Sequence, residues 1–199
     1  MATAEEITRH SDEDPDDIEF IGAEPPHRPI EIVEPDPTWP AQFDVLAGRI
    51  REALGGRALA VEHVGSTSIP DLPAKPIIDI DVTVDDPRAE SMYVPDLEAV
   101  GFRLRAREPG WHQHRLFVLD EPRANLHVFG PDCPEVIRHH MLREWLIEHP
   151  DDRERYAAAK RASAVATNDA GGEVMAYNQR KQPVIREILD RMFRANGLL

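Results

Sequence analysis

Glu62-His63-Val64-Gly65-Ser66-Thr67-Ser68-Ile69-Pro70, followed by Lys75-Pro76-Ile77-Ile78-Asp79-Ile80-Asp81, is the stretch on which the fold turns. Ile77–Val84 alternates cleanly and reads as a strand, because successive strand side chains point to opposite faces. Ile78, Ile80, Val82 and Val84 then share one face, and Asp79, Asp81 and Thr83 the other. Two carboxylates two residues apart on a strand lie roughly 6–7 Å apart at Cα. Hard oxygens so spaced suit a divalent cation such as Mg²⁺, and equally a solvated strand face. Upstream, Ala58–Val64 reads as a short strand ending at Gly65-Ser66, where small residues let backbone N–H groups and a hydroxyl approach a phosphate. A phosphate cradle followed by Asp-x-Asp follows the logic of metal-dependent nucleotidyl transfer.

Working outward, Arg28–Glu34 alternates and reads as a strand. Thr38 precedes a periodic run through Phe43, Leu46, Ile50 and Leu54, a helix capped by Thr38 and stopped by Gly55-Gly56. A helix is expected over Ser91–Val100. Three strands follow, Phe102–Arg107, His114–Leu119 and Arg123–Phe129, separated by turns and so antiparallel. The last third reads as helices: Pro134–His149, Asp151–Ala166 and a final one through Phe193, with Pro183 expected to kink it. The class is α+β, a mixed and largely antiparallel sheet with a helical layer.

Charge is uneven. The 199 residues carry a formal net charge of −14, with 23 Lys+Arg and 37 Asp+Glu. Residues 1–26 hold nine of the acids and one base, Arg9. Residues 1–27 therefore read as an acidic, disordered or loosely docked tail, and 28–199 as a single domain. The acidic balance argues against non-specific nucleic-acid binding. Cys133 is the one cysteine, which rules out an intrachain disulfide. No apolar run approaches the length of a membrane span, and the N-terminus has no hydrophobic stretch, so the expectation is a cytoplasmic protein.

The central motif resembles the GrpB family, as do Trp39 with Phe43, Leu126-His127-Val128, Leu142-Arg143 with Leu146, Tyr156 with Lys160, and Tyr177 with Lys181. The resemblance runs from about Ile30 to Ile188. It implies a fold similar to DNA polymerase beta-type nucleotidyltransferases, and the family's members also occur fused to dephospho-CoA kinase. Those transferases usually add a third carboxylate from a later strand. The matching stretch here offers Asn125 and His127 instead, which puts full two-metal catalysis in doubt.

The expected site is thus Asp79 and Asp81 as Mg²⁺ ligands, with His127 as a third catalytic group. Gly65, Ser66, Thr67, Lys75, Arg143, Lys160 and Lys181 would hold phosphate. The expected substrate is a nucleotide or another phosphorylated small molecule. The alternative is a non-catalytic accessory module that keeps the phosphate pocket and binds a protein partner. His112 and His114 could join His127 around a transition metal if the strands register. Arg103, Arg105 and Arg107 line one strand face and could bind phosphate or simply face solvent. Only three of the 23 basic residues are lysines, and all three fall on motif positions.

Overall fold

A computed structural model describes residues 1–10, 17–23 and 28–199. Alternation in the middle of the chain yields a six-stranded sheet. In chain order the strands are β1 (Glu19–Phe20), β2 (Ala60–Val64), β3 (Ile78–Thr83), β4 (Arg103–Glu108), β5 (His114–Asp120) and β6 (Arg123–Phe129). Their order across the sheet is β1-β4-β5-β6-β3-β2. Only β3 and β6 pair in parallel; the other neighbours are antiparallel. The parallel register sets Asp79 opposite Asn125 and Asp81 opposite His127. In the antiparallel register on the other side, Glu62 stands opposite Asp81 and Val64 opposite Asp79.

The described helices are α1 (Ala4–Thr8), α2 (Trp39–Leu54), α3 (Val94–Ala99), α4 (Pro134–Glu148), α5 (Pro150–Asp169) and α6 (Val174–Ala195). Leu46, Ile50 and Leu54 of α2 and Leu97 of α3 cover the apolar sheet face made by Ile78, Ile80, Val82, Phe117, Leu126 and Val128. That face supplies the main core, and burying such side chains supplies most of the driving force for folding. The last three helices pack on one another through a smaller core, in which Ile69 and Leu72 meet Leu146, Tyr156 and Ile188. The loop between β2 and β3 is thereby clamped to the helical layer. No described helix is long and apolar enough to cross a membrane.

Two local expectations fail for identifiable reasons. Arg28–Glu34 is not a strand. Val33 makes an isolated bridge with Ala74, and the N–H and C=O of Ile30 are taken by the side-chain amide of Asn168. Thr38 does not cap α2 with its side chain; its hydroxyl donates to Asp36 instead. Pro183, expected to kink the last helix, lies within it and not at its start. It sits exposed inside α6, which runs unbroken from Val174 to Ala195.

The described parts of residues 1–27 are docked rather than loose. Ile7 is buried against Leu189, Met192 and Phe193 of α6. Arg138 donates to the carbonyls of Ile7 and Arg9, and Glu19–Phe20 pairs with Arg107 and Ala106. A few apolar residues suffice to anchor the segment while Glu5, Glu6 and Glu19 face solvent. Residues 11–16 and 24–27, with Asp12, Glu13, Asp14, Asp16 and Glu24 among them, lie outside the described residues.

Candidate functional site

The site forms where β2 ends, where β3 and β6 run side by side, and where α4, α5 and α6 close over them. Gly65 turns the chain out of β2 at φ +67° and ψ −170°, a conformation that glycine alone adopts without strain. A Cβ at this position would stand 2.9 Å from Cβ and 3.0 Å from Cγ of Asp79, and closer still to its Oδ2. Glycine therefore brings the turn against a carboxylate. Ser66 opens the following 3-10 turn, Ser66–Ser68, and is half-buried. Thr67 points inward: its hydroxyl meets His63 Nε2 at 3.1 Å and donates to the Ile77 carbonyl at 3.2 Å. It holds the turn to β3 rather than offering a hydroxyl to a ligand. The Ser68 hydroxyl closes the turn on the Gly65 carbonyl at 2.7 Å.

Asp79 accepts from Asn125 Nδ2 at 2.9 Å, and His127 Nε2 stands 4.0 Å from its Oδ1. Burial opposes its charge, but His127, Lys75 and Asn125 outweigh burial and hold the carboxyl below its usual range. Asp81 is 1% exposed. One of its oxygens accepts from His139 Nδ1 at 2.8 Å, while Oδ1 is buried with no hydrogen-bond partner. A buried carboxylate oxygen without a donor is costly, and a cation would satisfy it.

Beside the aspartates runs a chain of imidazoles. His127 Nδ1 lies 3.0 Å from His114 Nε2, and His114 Nδ1 bonds to Glu108. Burial above all, then His127, keeps His114 well below its ordinary pKa, so it is neutral. Its single proton belongs on Nδ1, facing the carboxylate. Nε2 of His114 then faces His127 Nδ1 as an acceptor, and His127 Nε2 turns toward Asp79. His114 and His127 thus bond to each other instead of grouping round a metal, and His112 lies outside their chain, in the turn before β5. Among the described residues, no group of three or more His, Cys, Asp or Glu side chains is arranged to hold a metal ion.

Of the expected phosphate ligands, Lys75, Lys160 and Lys181 come together. Lys75 and Lys181 each place Nζ 5.2 Å from the Tyr177 ring centre, and Lys160 Nζ stands 4.7 Å from that of Tyr156. Pro183 leaves the shared face of Tyr177 and Lys181 intact. Arg143 lies one turn beyond His139 on α4. Its Nε is buried and unpartnered, while Nη1 pairs with Glu144. The arginines of β4 are engaged elsewhere: Arg103 pairs with Asp120, Arg107 with Glu90 and Glu19, and Arg105 donates to the Ile21 carbonyl.

His139 is the residue that sequence reasoning passed over, because adjacent His139 and His140 point in different directions on a helix. They do so here, to Asp81 and Glu62 respectively. The available signal was the stripe Glu135, His139, Arg143, spaced i, i+4, i+8 on one helix face. Glu108 was missed as well, and only the hairpin register that pairs it with His114 reveals it.

Burial works against a charge on His139, but Asp81 prevails and pushes its pKa up to about 9. A raised imidazole stabilises the fold fully below the unfolded value of ~6.5, and that contribution is lost as pH rises through the folded value. His63 has the opposite sign. Burial lowers it to about 4 despite Asp79, so its contribution is lost as pH falls from ~6.5 toward that value. Urea denaturation across pH 4–10 is expected to show both flanks, and His139→Gln to flatten only the alkaline one. An alkaline flank unchanged in that variant would refute the assignment.

Two carboxylates, with one oxygen unsatisfied, could hold a single divalent cation. They do not supply the third acid of a two-metal site, a place that Asn125 and His127 occupy.

The chain was compared with known proteins. The GrpB protein family model matches residues 29–191. A UPF0157 protein of Halalkalibacterium halodurans is 42% identical over 191 residues, covering 96% of each chain. The crystal structure of the conserved protein GrpB from Enterococcus faecalis superposes with a TM-score of 0.69 at 28% identity, over 82% of this chain and 99% of that one. A dephospho-CoA kinase of Mycolicibacterium paratuberculosis is 34% identical over 189 residues, covering 82% of this chain but 46% of the kinase. With a family model spanning most of the body and a close relative matched nearly end to end, the chain belongs to the GrpB family.

Proposed function

We propose that this protein is a metal-dependent, nucleotidyltransferase-like enzyme acting on a nucleotide or another phosphorylated small molecule. The observation that carries the reading is Asp81 Oδ1, buried and unpaired beside Asp79, with the Gly65 turn on one side and three lysines on another. Asp79 and Asp81 would hold Mg²⁺, whose charge, when bound, neutralises phosphate oxygens and favours in-line displacement. Gly65 and Ser66 bring backbone and hydroxyl to the phosphate. His127 takes the proton of an attacking hydroxyl at Nε2, oriented by His114 and Glu108. Asn125 holds Asp79 in place, and Lys75, Lys181 and Arg143 offset the charge of the substrate. A cytoplasmic setting accords with a single buried free cysteine.

Isothermal titration with ATP, CTP, GTP and UTP, each with and without Mg²⁺, tests the reading. Cation-dependent binding of at least one nucleotide, lost in Asp79→Asn/Asp81→Asn, is expected. No binding under any condition in the wild-type protein would sink it. The absent third carboxylate favours one other reading, a non-catalytic phosphate-binding module that serves a partner protein. A stoichiometric partner co-eluting with both the wild type and the double variant would support that alternative.

A further inference from the structure

The described N-terminal residues form an arm, outside the stretch matched to the family, that is anchored on the body at two places. Each anchor leads by side-chain contacts to a histidine of the candidate site. At the first, Ile7 of α1 is buried against α6. The end of α1 is held by Arg138 of α4, itself buried, whose Nε donates to the Ile7 carbonyl at 3.2 Å and Nη2 to the Arg9 carbonyl at 2.6 Å. Arg138 also faces Glu135, whose Oε2 is buried without a hydrogen bond and stands 3.3 Å from Arg138 Nη1. The other oxygen of Glu135 lies 3.6 Å from His139 Nε2, and His139 Nδ1 lies 2.8 Å from Asp81. An unbroken run of contacts thus joins the backbone of the arm to an aspartate of the site. A buried guanidinium that loses two carbonyl acceptors turns to the carboxylate beside it. Glu135 would then release its hold on His139.

The second anchor is on the β4–β5 hairpin. Asp17 Oδ2 accepts from the Gly110 N–H at 2.7 Å, and Glu19 pairs with Arg107 at 2.9 Å. Gly110 opens the loop in which His112 and Gln113 both stand at φ +55°. Two successive residues with a Cβ in the left-handed region are strained, and such geometry persists only where its surroundings over-determine it. Asp17 is one of the constraints. The others are the Gln113 amide, which donates to the Pro109 carbonyl at 2.7 Å, and Arg115, which donates to the Gln113 carbonyl at 2.8 Å. The loop runs straight into His114, and its Trp111 meets the His114 ring edge-on with centroids 5.0 Å apart. A loop freed from Asp17 can relax, and it carries Trp111 and His114 with it.

We propose that the N-terminal arm is a clasp on the candidate site: docked, it holds His139 on Asp81 and His114 on His127, and released, it loosens both pairs. Docking of the arm and occupancy of the aspartates are then linked. The link is reciprocal, so a ligand that favours the docked arrangement must also hold the arm down. The ligand half of this inference rests on the reading of the site given above; the histidine half does not.

The test uses the full-length protein under limited trypsin digestion. The bond after Arg9 carries the carbonyl that Arg138 holds, so its cleavage reports the released arm. Ile7→Asp is expected to speed that cleavage by about tenfold or more, because a carboxylate cannot occupy the apolar seat on α6. Ile7→Val, which keeps the seat filled, should cleave like the wild type. Asp17→Ala leaves every core residue in place and provides the second variant. In NMR spectra of the imidazole nitrogens, Ile7→Asp should shift His139, and Asp17→Ala should shift His114 and His127. Saturating Mn²⁺ with a non-hydrolysable ATP analogue should slow wild-type cleavage after Arg9 by roughly tenfold, within the usual range for linked sites. Ile7→Asp should weaken binding of that analogue by the same factor. Fast cleavage in Ile7→Asp with unchanged His139 signals and unchanged analogue affinity would overturn the proposal, as would cleavage no faster than in the wild type. A wild-type protein that binds no analogue refutes the metal-dependent reading instead. The NMR spectra then decide alone, and histidine signals unchanged in both variants would overturn the clasp.

Discussion

Replacing Gly65 with alanine is expected to lower the unfolding free energy by about 2–6 kcal/mol. Two costs combine. The backbone conformation, at φ +67° and ψ −170°, is closed to residues with a Cβ and costs roughly 1–3 kcal/mol. The added carbon would stand 2.9 Å from the Asp79 Cβ, an overlap costing roughly 1–3 kcal/mol more. At about 2–4 °C per kcal/mol for a chain of this length, the loss is easily seen in thermal unfolding. The substitution also pushes Asp79 away from Asn125 and His127, so cation-dependent nucleotide binding should fall with stability. A variant within about 0.5 kcal/mol of wild type would mean that the turn is not fixed by this contact.

Asp81→Asn carries the second large effect. The carboxylate is the nearly buried partner of His139, and its other oxygen is the unsatisfied acceptor of the site. Its loss is expected to lower cation-dependent turnover by about 10²–10³, the usual magnitude for a group that stabilises developing charge. Stability should fall by about 2 kcal/mol, below the roughly 3–5 kcal/mol of a wholly buried pair because His139 is partly exposed. NMR titration supplies an independent reading. His139 should drop from about 9 once its partner is neutral, because burial is then opposed only by the weaker pull of Glu135 and Asp79. A His139 that keeps its raised value in this variant would contradict the pairing.

Much of the fold was legible because β3 alternates so clearly. Once Ile78, Ile80 and Val82 point to one face, Asp79 and Asp81 must share the other. The matching alternation of Arg123–Phe129 sets Asn125 and His127 on the same side as the aspartates. The sequence could not show that these strands pair in parallel and in register, because that pairing depends on the path of everything between them. Arg28–Glu34 misled for a related reason. Its alternation is real, yet its backbone finds a side-chain amide, Asn168, instead of a neighbouring strand. The acidic N-terminal segment misled by composition: counting charge hid the single well-placed Ile7 and the Glu19–Phe20 pairing.

At the site, the three lysines stood out by scarcity in an arginine-rich chain, and helical spacing paired two of them with tyrosines. Their convergence depends on how α5 and α6 cross the loop before β3, which local pattern does not encode. His139 and Glu108 were hidden for the same reason. His139 acts through Asp81, far away in sequence, and Glu108 through His114, six residues on but met only through the hairpin register. Thr67 went the other way: a hydroxyl in a candidate phosphate turn faces inward, to His63 and the Ile77 carbonyl.

The central claim is that Asp79 and Asp81 together hold a divalent cation against a phosphorylated substrate. The most direct measurement is a crystal structure of the full chain soaked with Mn²⁺ and a non-hydrolysable nucleoside triphosphate, with anomalous differences collected at the manganese edge. The account predicts one anomalous peak within about 2.0–2.3 Å of oxygens from both aspartates, with phosphate density running from the Gly65-Ser66 turn toward Lys160. Phosphate bound elsewhere, or an anomalous map with no peak between Asp79 and Asp81, would contradict it.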